Sequence, residues 1–441
     1  MAKAFQDVGH EVTAVSVDER IGTGHIERKE QEGVQVYTVG LPEGDGDGKP
    51  LADMRPDEWR RGRFREILDG VRPDVVHVTA SRGLLPLLES AANNGVPIVA
   101  TLLDFGLICP NQFLLDHSGR YCGGQPSVKR CWKCVQDGQS LGRRLGNALC
   151  RLSAGRRALA TALGGKRASG FDLKRALDEG VRYLEQVRSQ VSHFIAPAPV
   201  ARRIIEEHGV ADDRVVDLVY SLPAYKLAPA GRPWGRPVVD RPLVIGYAGR
   251  VSAEKGIGIL IDAFVSLPNS AHCELRILGR GANADNLRSL CSDKDTLNSQ
   301  IGSGRISFHN NLDDDVFREE MARFDVAVFP SICYECTPLA LIEVVAQGVP
   351  CIVSDSEGMN HVVSDTLNGR LFPVGDARAL RRILEGILDR PEVLELWRRH
   401  VYKPYDDAEY ARRLRGLYSQ LATIESKSTG INSVQNSSVI Q

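Results

Sequence analysis

Two glutamates stand eight residues apart in "YECTPLALIEVVAQGVP", Glu335 and Glu343. From Pro338 to Pro350 the segment is apolar or small, except for Gln347 and one full charge, Glu343. Thr337 suits an N-cap and Pro338 the first helical position. Gly348 stands where a C′ glycine belongs and Pro350 stops any continuation, so the pattern predicts a buried helix over 338–347. An ionised carboxylate inside such a helix is costly unless something pairs with it. Glu335 falls in the loop ahead of the helix, at the C-terminal end of the strand "VAVFPS". Ligands of open α/β sheets bind at that edge, and a helix N-terminus there offers free N–H groups to an anion. Two readings stand: carboxylates that grip a ligand, or a Glu343 paired with a neighbouring Arg or Lys beside a solvated Glu335.

A second constellation lies upstream in "YAGRVSAEKGIGILIDAF". Arg250 follows a strand directly, and Lys255 precedes a helix. Cations at the mouth of a helix on the ligand edge suit a diphosphate, Arg as a fork of donors and Lys as a point charge. A solvated loop is the plain alternative. Neither P-loop spacing nor a GxGxxG follows the strand; "LGRGANADNL" has only Gly279 and Gly281.

The elements that must position these residues are those of two doubly wound α/β domains. At 441 residues the chain exceeds one ordinary core. In the first half "HEVTAVSV", "VQVYTVG", "PDVVHVTA", "PIVATLLD", "VSHFIAPA" and "RVVDLVYS" read as strands, with a helix around Leu84 to Asn94. Non-alternating apolar runs separated by helices imply a parallel sheet covered on both faces. The Pro/Gly/Arg-rich stretch 223–242 reads as a linker. The alternation restarts with "LVIGYAG", a helix from Ile257 to Leu267, "CELRILG", "RISFHN", a helix near Val316 to Arg323, "VAVFPS" and "PCIVSD". A late helix is expected around Ala408 to Thr423, and the polar tail 425–441 is expected to be disordered. The opening "MAKAFQDVGHEV" reads as a helix end, a Gly turn and a strand; either the start is misplaced, or the first domain lacks its first βα unit, with a short first helix and nothing lost as the plain alternative.

Together these motifs, G-R-x-x-x-x-K-G and about eighty residues later P-S-x-x-x-E-x(7)-E-x-x-x-x-G-x-P, resemble the nucleotide-sugar-binding domain of retaining family-4 glycosyltransferases with the GT-B fold. The residues are Gly249, Arg250, Lys255 and Gly256, then Pro330, Ser331, Glu335, Glu343, Gly348 and Pro350. "LRILGRG", "IVSDSEGMNHVV" and "NGRLFPVGD" follow the family's order, from Leu243 to Asp376. The resemblance is looser over His10 to Pro199. It implies two Rossmann-like domains facing a cleft: 1–222 on the acceptor side, 243–400 for the donor, and a helix over 401–424 crossing back. It implies that Arg250 and Lys255 hold a donor diphosphate, that Glu343 accepts from ribose hydroxyls, and that Glu335, the Gly249 loop and the backbone around Thr337, Pro338 and Leu339 meet the sugar or phosphate. Glu335, Arg250 and Lys255 would be the catalytic groups, and no metal is implied for catalysis. The donor would be a UDP-, GDP- or ADP-sugar, and the acceptor a glycan, a lipid-linked molecule or a small hydroxyl compound.

The chain departs from the family in places. Leu103 stands where relatives have histidine, beside Asp104, and His361 where glutamate is common. The alternative reading is therefore a family member that binds nucleotide sugar, or partners an active enzyme, without turnover. A sugar-nucleotide epimerase is disfavoured by the Glu335/Glu343 spacing. His77, on a buried strand, reads as a satisfied core histidine.

Cys109, Cys122, Cys131 and Cys134 cluster in a segment between about 105 and 170, and could hold a structural zinc or be free thiols. From Arg143 to Arg167 seven basic residues interleave with leucines and no acidic residue. That suits either peripheral contact with an anionic membrane or a solvated helix face. A formal net charge of −1 argues against a nucleic-acid role. No secretory signal or bilayer-spanning run is visible, so reduced thiols and a cytoplasmic location are expected, with possible association at the inner membrane face.

Overall fold

A computed structural model of the chain describes residues 2–18, 21–22, 25–41, 58–79, 83–109, 112–116, 122–123, 131, 134, 170–227, 241–268, 272–429 and 438–440. The basic segment 143–167 lies outside the described residues. In chain order the first elements are α1 (Ala2–Asp7), β1 (Glu11–Asp18), β2 (Ile26–Gln31), β3 (Val34–Gly40), α2 (Glu58–Val71), β4 (Val75–Val78), α3 (Leu85–Asn93) and β5 (Ile98–Thr101). Then come α4 (Gly170–Gln190), β6 (His193–Ala196), α5 (Pro199–Glu207), β7 (Val215–Asp217), β8 (Ser221–Leu222) and α6 (Ala224–Leu227). The series continues with β9 (Leu243–Ala248), α7 (Ile257–Val265), β10 (Cys273–Leu278), α8 (Ala284–Leu290), α9 (Lys294–Gly302), β11 (Ile306–His309), α10 (Asp314–Met321) and β12 (Val326–Phe329). It ends with α11 (Leu339–Ala346), β13 (Cys351–Ser354), β14 (Gly369–Phe372), α12 (Ala377–Asp389), α13 (Val393–Arg398), β15 (Tyr405–Asp406), α14 (Asp407–Thr429) and β16 (Ser438–Ile440).

Two compact units result: Met1–Pro197 with Ala201–Asp217 and Ala411–Gln441, and Ala198–Val200 with Leu218–Tyr410. The first carries an eight-stranded sheet in the order β2-β3-β1-β16-β4-β5-β6-β7, the second a six-stranded sheet in the order β11-β10-β9-β12-β13-β14. Every pairing in the second sheet is parallel. In the first, β2 alone runs antiparallel, hairpinned to β3 through Glu32 and Gly33, both at positive φ. Its sequence "IERKEQ" is half-exposed to exposed, as befits a charged edge strand, and lacks the apolar run that marks its neighbours.

In the second unit both faces of the sheet are buried. Along β9, Ile245 and Tyr247 join a core with Leu260, Ile261 and Phe264 of α7, while Val244 and Ala248 join another with Leu341, Ile342 and Val345 of α11. This is why "LVIGYA" is apolar throughout: successive side chains alternate between two covered faces.

Three sequence expectations need correction. The tail is not wholly irregular: α14 runs to Thr429, and Ser438–Ile440 pair in parallel with both β1 and β4. The stretch 223–242 is not simply a linker. Ala224–Leu227 form a helical turn against α11, and Arg241 is fixed by Asp325, because that buried carboxylate needs a cationic partner. The compact units divide near 217–218 rather than 222–223.

His77 is a core residue. It is 1% exposed, with Nδ1 2.5 Å from the Tyr418 hydroxyl and Nε2 2.7 Å from Thr101 Oγ1. Burial pushes its pKa down from 6.5 to about 3. The folded state therefore keeps His77 neutral where the unfolded chain takes up a proton, and stability falls as pH drops below 6.5. The expected slope from this group is up to about 1.4 kcal/mol per pH unit. Denaturant unfolding at about pH 7 and about pH 5 checks it: His77→Gln should show the shallower dependence, and parallel profiles would remove His77 as the cause.

Candidate donor site

The second sheet has a point where strand order reverses. From β9 the chain adds β10 and β11 on one side; from β12 it adds β13 and β14 on the other. β9 and β12 are neighbours, so the loops leaving their C-terminal ends meet at this switch point, where open α/β sheets bind ligands. These loops carry Gly249 to Gly256 and Pro330 to Pro338.

The loops are stitched together by backbone. The Glu254 carbonyl accepts from Ile332 N at 3.1 Å and Cys333 N at 3.3 Å. The Tyr247 hydroxyl donates to the Arg250 carbonyl at 2.6 Å, and the Glu254 carboxylate accepts from Ser252 Oγ at 2.7 Å and Arg250 Nη2 at 2.9 Å. A single turn, Ala253–Lys255, leads through Gly256 into α7. Gly256 has φ 67°, and a Cβ there would lie 1.9 Å from the Pro330 carbonyl. Gly256→Ala is therefore expected to push the loops apart. It should lower unfolding stability by at least about 1–2 kcal/mol and weaken ligand binding at the loops; a wild-type melting curve would contradict this reading of the junction.

Lys255 and Glu335, predicted separately, are in contact. Lys255 Nζ donates to Glu335 Oε1 at 2.5 Å, and Ser331 Oγ donates to the same oxygen at 2.7 Å. Cys333 Sγ lies 3.6 Å from it, and burial pushes that thiol's pKa up, keeping it neutral. Glu335 is 9% exposed, while the Arg250 side chain is 50% exposed beside the same loop. In the sequence Ser331 stands out only as part of the motif, and nothing singles out Cys333. The signal available was their position two and four residues before Glu335 on one tight loop.

Glu343 has a partner of its own. Lys226 Nζ on α6 donates to its Oε1 at 2.8 Å, and Gln347 Nε2 donates to the Lys226 carbonyl at 2.8 Å. The ion-pairing reading of Glu343 thus holds in this structure, and sequence reading missed Lys226 because it sits in the presumed linker. Helix α11 starts one residue later than predicted, at Leu339, with Pro338 as N-cap. Thr337 does not cap it: its hydroxyl is turned to the Cys336 carbonyl and lies 3.2 Å from His361 Nε2. His361 is held below its usual pKa by burial, so it is neutral there. Gly358 closes the site from the other side, since a Cβ on it would lie 1.8 Å from the Glu335 carbonyl.

The cysteine clip does not form among the described residues, where no group of three or more His, Cys, Asp or Glu could hold a metal. Cys109 is buried and Cys122, Cys131 and Cys134 are half-buried. Cys109 N donates to the Phe105 carbonyl and Cys122 N to the Leu114 carbonyl, and Cys134 Sγ lies 4.0 Å from the Leu115 carbonyl. Among the first-half candidates, Asp104 Oδ1 accepts from Gly106 N at 2.7 Å, closing a local turn beside Leu103. No helix among the described residues is long and apolar enough to cross a membrane.

This arrangement is that of the GT-B fold. Sucrose-phosphate synthase from Thermosynechococcus elongatus matches with TM-score 0.59 at 14% identity, over 97% of this chain and 92% of that one. Anabaena HepE in complex with UDP matches with TM-score 0.55 at 14% identity, over 95% of this chain and 100% of that one. The family described as Glycosyl transferases group 1 matches residues 242–390, the segment that builds the switch point. A phosphatidyl-myo-inositol mannosyltransferase of Mycobacterium leprae is 32% identical over 185 residues, covering 39% of this chain and 45% of that protein. The lipopolysaccharide core biosynthesis glycosyltransferase LpsE of Rhizobium meliloti is 34% identical over 149 residues, 34% of this chain and 40% of that one. The chain thus spans less than half the length of these curated relatives in each match.

Proposed function

We propose that the protein is a retaining glycosyltransferase of family-4 type, binding a nucleotide-diphosphate sugar at the β9/β12 switch point and passing the sugar to a hydroxyl acceptor. The observation that carries this is the Lys255–Glu335 contact across the two stitched loops. It places a cation and a carboxylate together at the ligand edge of the sheet. A diphosphate carries more negative charge than Glu335, so it draws Lys255 to itself, with Arg250 as a second donor. Glu335, still held by Ser331, then faces the sugar hydroxyls. The first N–H groups of α11, at Leu339 and Ala340, have no intrahelical acceptor and suit a sugar or phosphate oxygen; Pro338 offers none. Glu343 meets the ribose hydroxyls, with Lys226 keeping its carboxylate ionised and in place.

In the reaction the bond from the anomeric carbon to the β-phosphate oxygen breaks, and its electron pair leaves with the nucleotide. The acceptor oxygen bonds to the anomeric carbon from the same face, and its proton passes to the departing phosphate. Lys255 and Arg250 stabilise the charge that develops on that phosphate, which is the larger protein contribution in sites of this kind. The relatives' names, a phosphatidyl-inositol mannosyltransferase and a lipopolysaccharide core glycosyltransferase, support a lipid-linked or glycan acceptor.

A second reading, donor binding without turnover, is favoured by Leu103, which stands where the family resemblance implies a histidine. Incubation with UDP-, GDP- and ADP-sugars together with a panel of glycan, lipid-linked and small hydroxyl acceptors, followed by NMR, separates the two. Release of nucleotide with an α-configured product from an α-configured donor supports transfer with retention. Inverted product removes the retaining assignment. Binding without release supports the second reading, and no binding removes both.

A further inference from the structure

We infer that a groove along α12 of the second unit binds an amphiphilic anion, a phosphate monoester carrying one apolar chain. The groove has a volume of about 570 Å³, within the range of small-molecule sites, and shares no residue with the donor loops. It lies beside β14, at the outer end of the six-stranded sheet. On α12 Ala379, Arg382, Ile383, Gly386 and Ile387 line it at the three- and four-residue intervals of one helix face, with Arg390 at the end. At 1.5 Å per residue this stripe is roughly 16 Å long.

The walls select the ligand's chemistry. Phe372, Ile387 and Trp397 are almost wholly buried and make an apolar floor, while Leu396 is 55% exposed at the side. Arg398, bonded to the Asp325 carbonyl at 3.2 Å, holds α13 in place. The lining contains no Ser, Thr, Asn, Gln, His or Tyr, so it has no neutral side chain to read sugar hydroxyls or base edges. Nor does it take a peptide strand. Leu371 N on β14 already donates to Asp365 Oδ1 at 2.9 Å, and the Gly369 carbonyl accepts from Thr366 N at 2.9 Å.

Charge and one glycine place the anion. Arg370 is engaged by Asp365 at 2.8 Å, but Arg382 and Arg390 have no ion pair or side-chain hydrogen bond among the described residues. Glu392, the one acid of the lining, is exposed and pairs with neither. Between the two arginines stands Gly386, four residues from each, its carbonyl accepting from Arg390 N at 3.2 Å. A glycine inside a helix is destabilising, and close packing does not require this one: an added Cβ would meet nothing within 4 Å. The gap opens the helix surface to an anion with an unpaired guanidinium on either side. A phosphate monoester carries about 1.5–2 negative charges at neutral pH, which two guanidinium groups balance. Its chain lies along Ile383, Ile387 and Trp397.

Titration calorimetry of the full chain with dodecyl phosphate, kept below its micelle concentration, tests this beside decyl phosphate, dodecanol and inorganic phosphate. One molecule per chain is expected, and decyl phosphate should bind roughly fifteenfold more weakly for its two fewer methylenes. Dodecanol and inorganic phosphate should each bind at least about tenfold more weakly than dodecyl phosphate. Arg382→Gln and Arg390→Gln should each weaken dodecyl phosphate about tenfold and leave dodecanol unchanged. Gly386→Leu fills the gap: it should keep or raise the melting temperature, because leucine favours a helix over glycine, and abolish binding. Sedimentation with phosphatidylcholine vesicles carrying lysophosphatidic acid then identifies the source. Sedimentation lost in Gly386→Leu assigns the phosphate to a membrane lipid; sedimentation absent, or unchanged by that substitution, assigns it to a free amphiphile. Wild-type affinity for dodecyl phosphate in Gly386→Leu, equal affinity for dodecanol, or no saturable binding overturns the inference.

Discussion

Lys255→Ala is expected to reduce sugar transfer by roughly 10²–10³-fold, the cost of removing one preorganised donor from a developing anion. Among the described residues Lys255 is the one cation shown reaching the buried Glu335, and it sits where the turn 253–255 enters α7. Arg250 is half exposed and already engaged by Glu254, so it replaces little of the lost charge. If Lys255 serves both binding and the departing phosphate, the loss should appear in kcat as well as KM. A change confined to KM would show that it binds donor and transition state equally. Glu335→Gln is the companion experiment. Glutamine still accepts from Ser331 but no longer balances Lys255, so nucleotide affinity should hold or rise while transfer falls. Variants that both transfer at the wild-type rate would remove the pair from the chemistry.

Asp325→Ala is expected to give the largest loss of stability, about 3–5 kcal/mol, the range for breaking a buried, hydrogen-bonded ion pair. The Asp325 side chain is 2% exposed and accepts two bonds from Arg241 at 2.6 Å and one from Val244 N at 2.8 Å. Arg398 Nη2 adds a bond to its carbonyl at 3.2 Å. The residue therefore ties the entry of β9, the start of β12 and α13 together. Removing it leaves the Arg241 guanidinium and the Val244 N–H short of a partner in a partly dry place, while Arg398 keeps the backbone carbonyl. For a unit of this size the melting temperature should fall by roughly 10 °C. Asp325→Asn, which keeps the shape but not the charge, should fall between. A loss of less than about 1 kcal/mol on alanine would show that the pair contributes no more than an exposed salt bridge.

The readable parts of this fold are those set by local sequence. The apolar runs of β4, β9 and β12 mark buried parallel strands, and Gly348 with Pro350 marks the end of α11. Because β9 and β12 each lead into a loop and helix, the sequence puts Lys255 and Glu335 on loops at the ligand edge of the sheet; that the two side chains touch is visible only in the structure. What stayed hidden depended on contacts distant in sequence. Lys226 reaches Glu343 across 117 positions from a stretch whose prolines and glycines mask a single helical turn. β2 carries charges because it is an edge strand, and nothing in "IERKEQ" announces pairing. β16 has only three residues, too short for any periodicity, and its register exists only against β1 and β4. Thr337 has the right chemistry for an N-cap, but its hydroxyl is turned toward Cys336 and His361, leaving Pro338 to open the helix.

Titration calorimetry of UDP, GDP and ADP against the wild type, Lys255→Ala and Glu343→Ala tests the donor site most directly. One nucleotide should bind the wild type, with affinity at least about tenfold lower in each variant, the size of a lost charge-assisted contact. Equal affinity in all three proteins would place the nucleotide elsewhere and contradict the assignment of the β9/β12 switch point as the donor site.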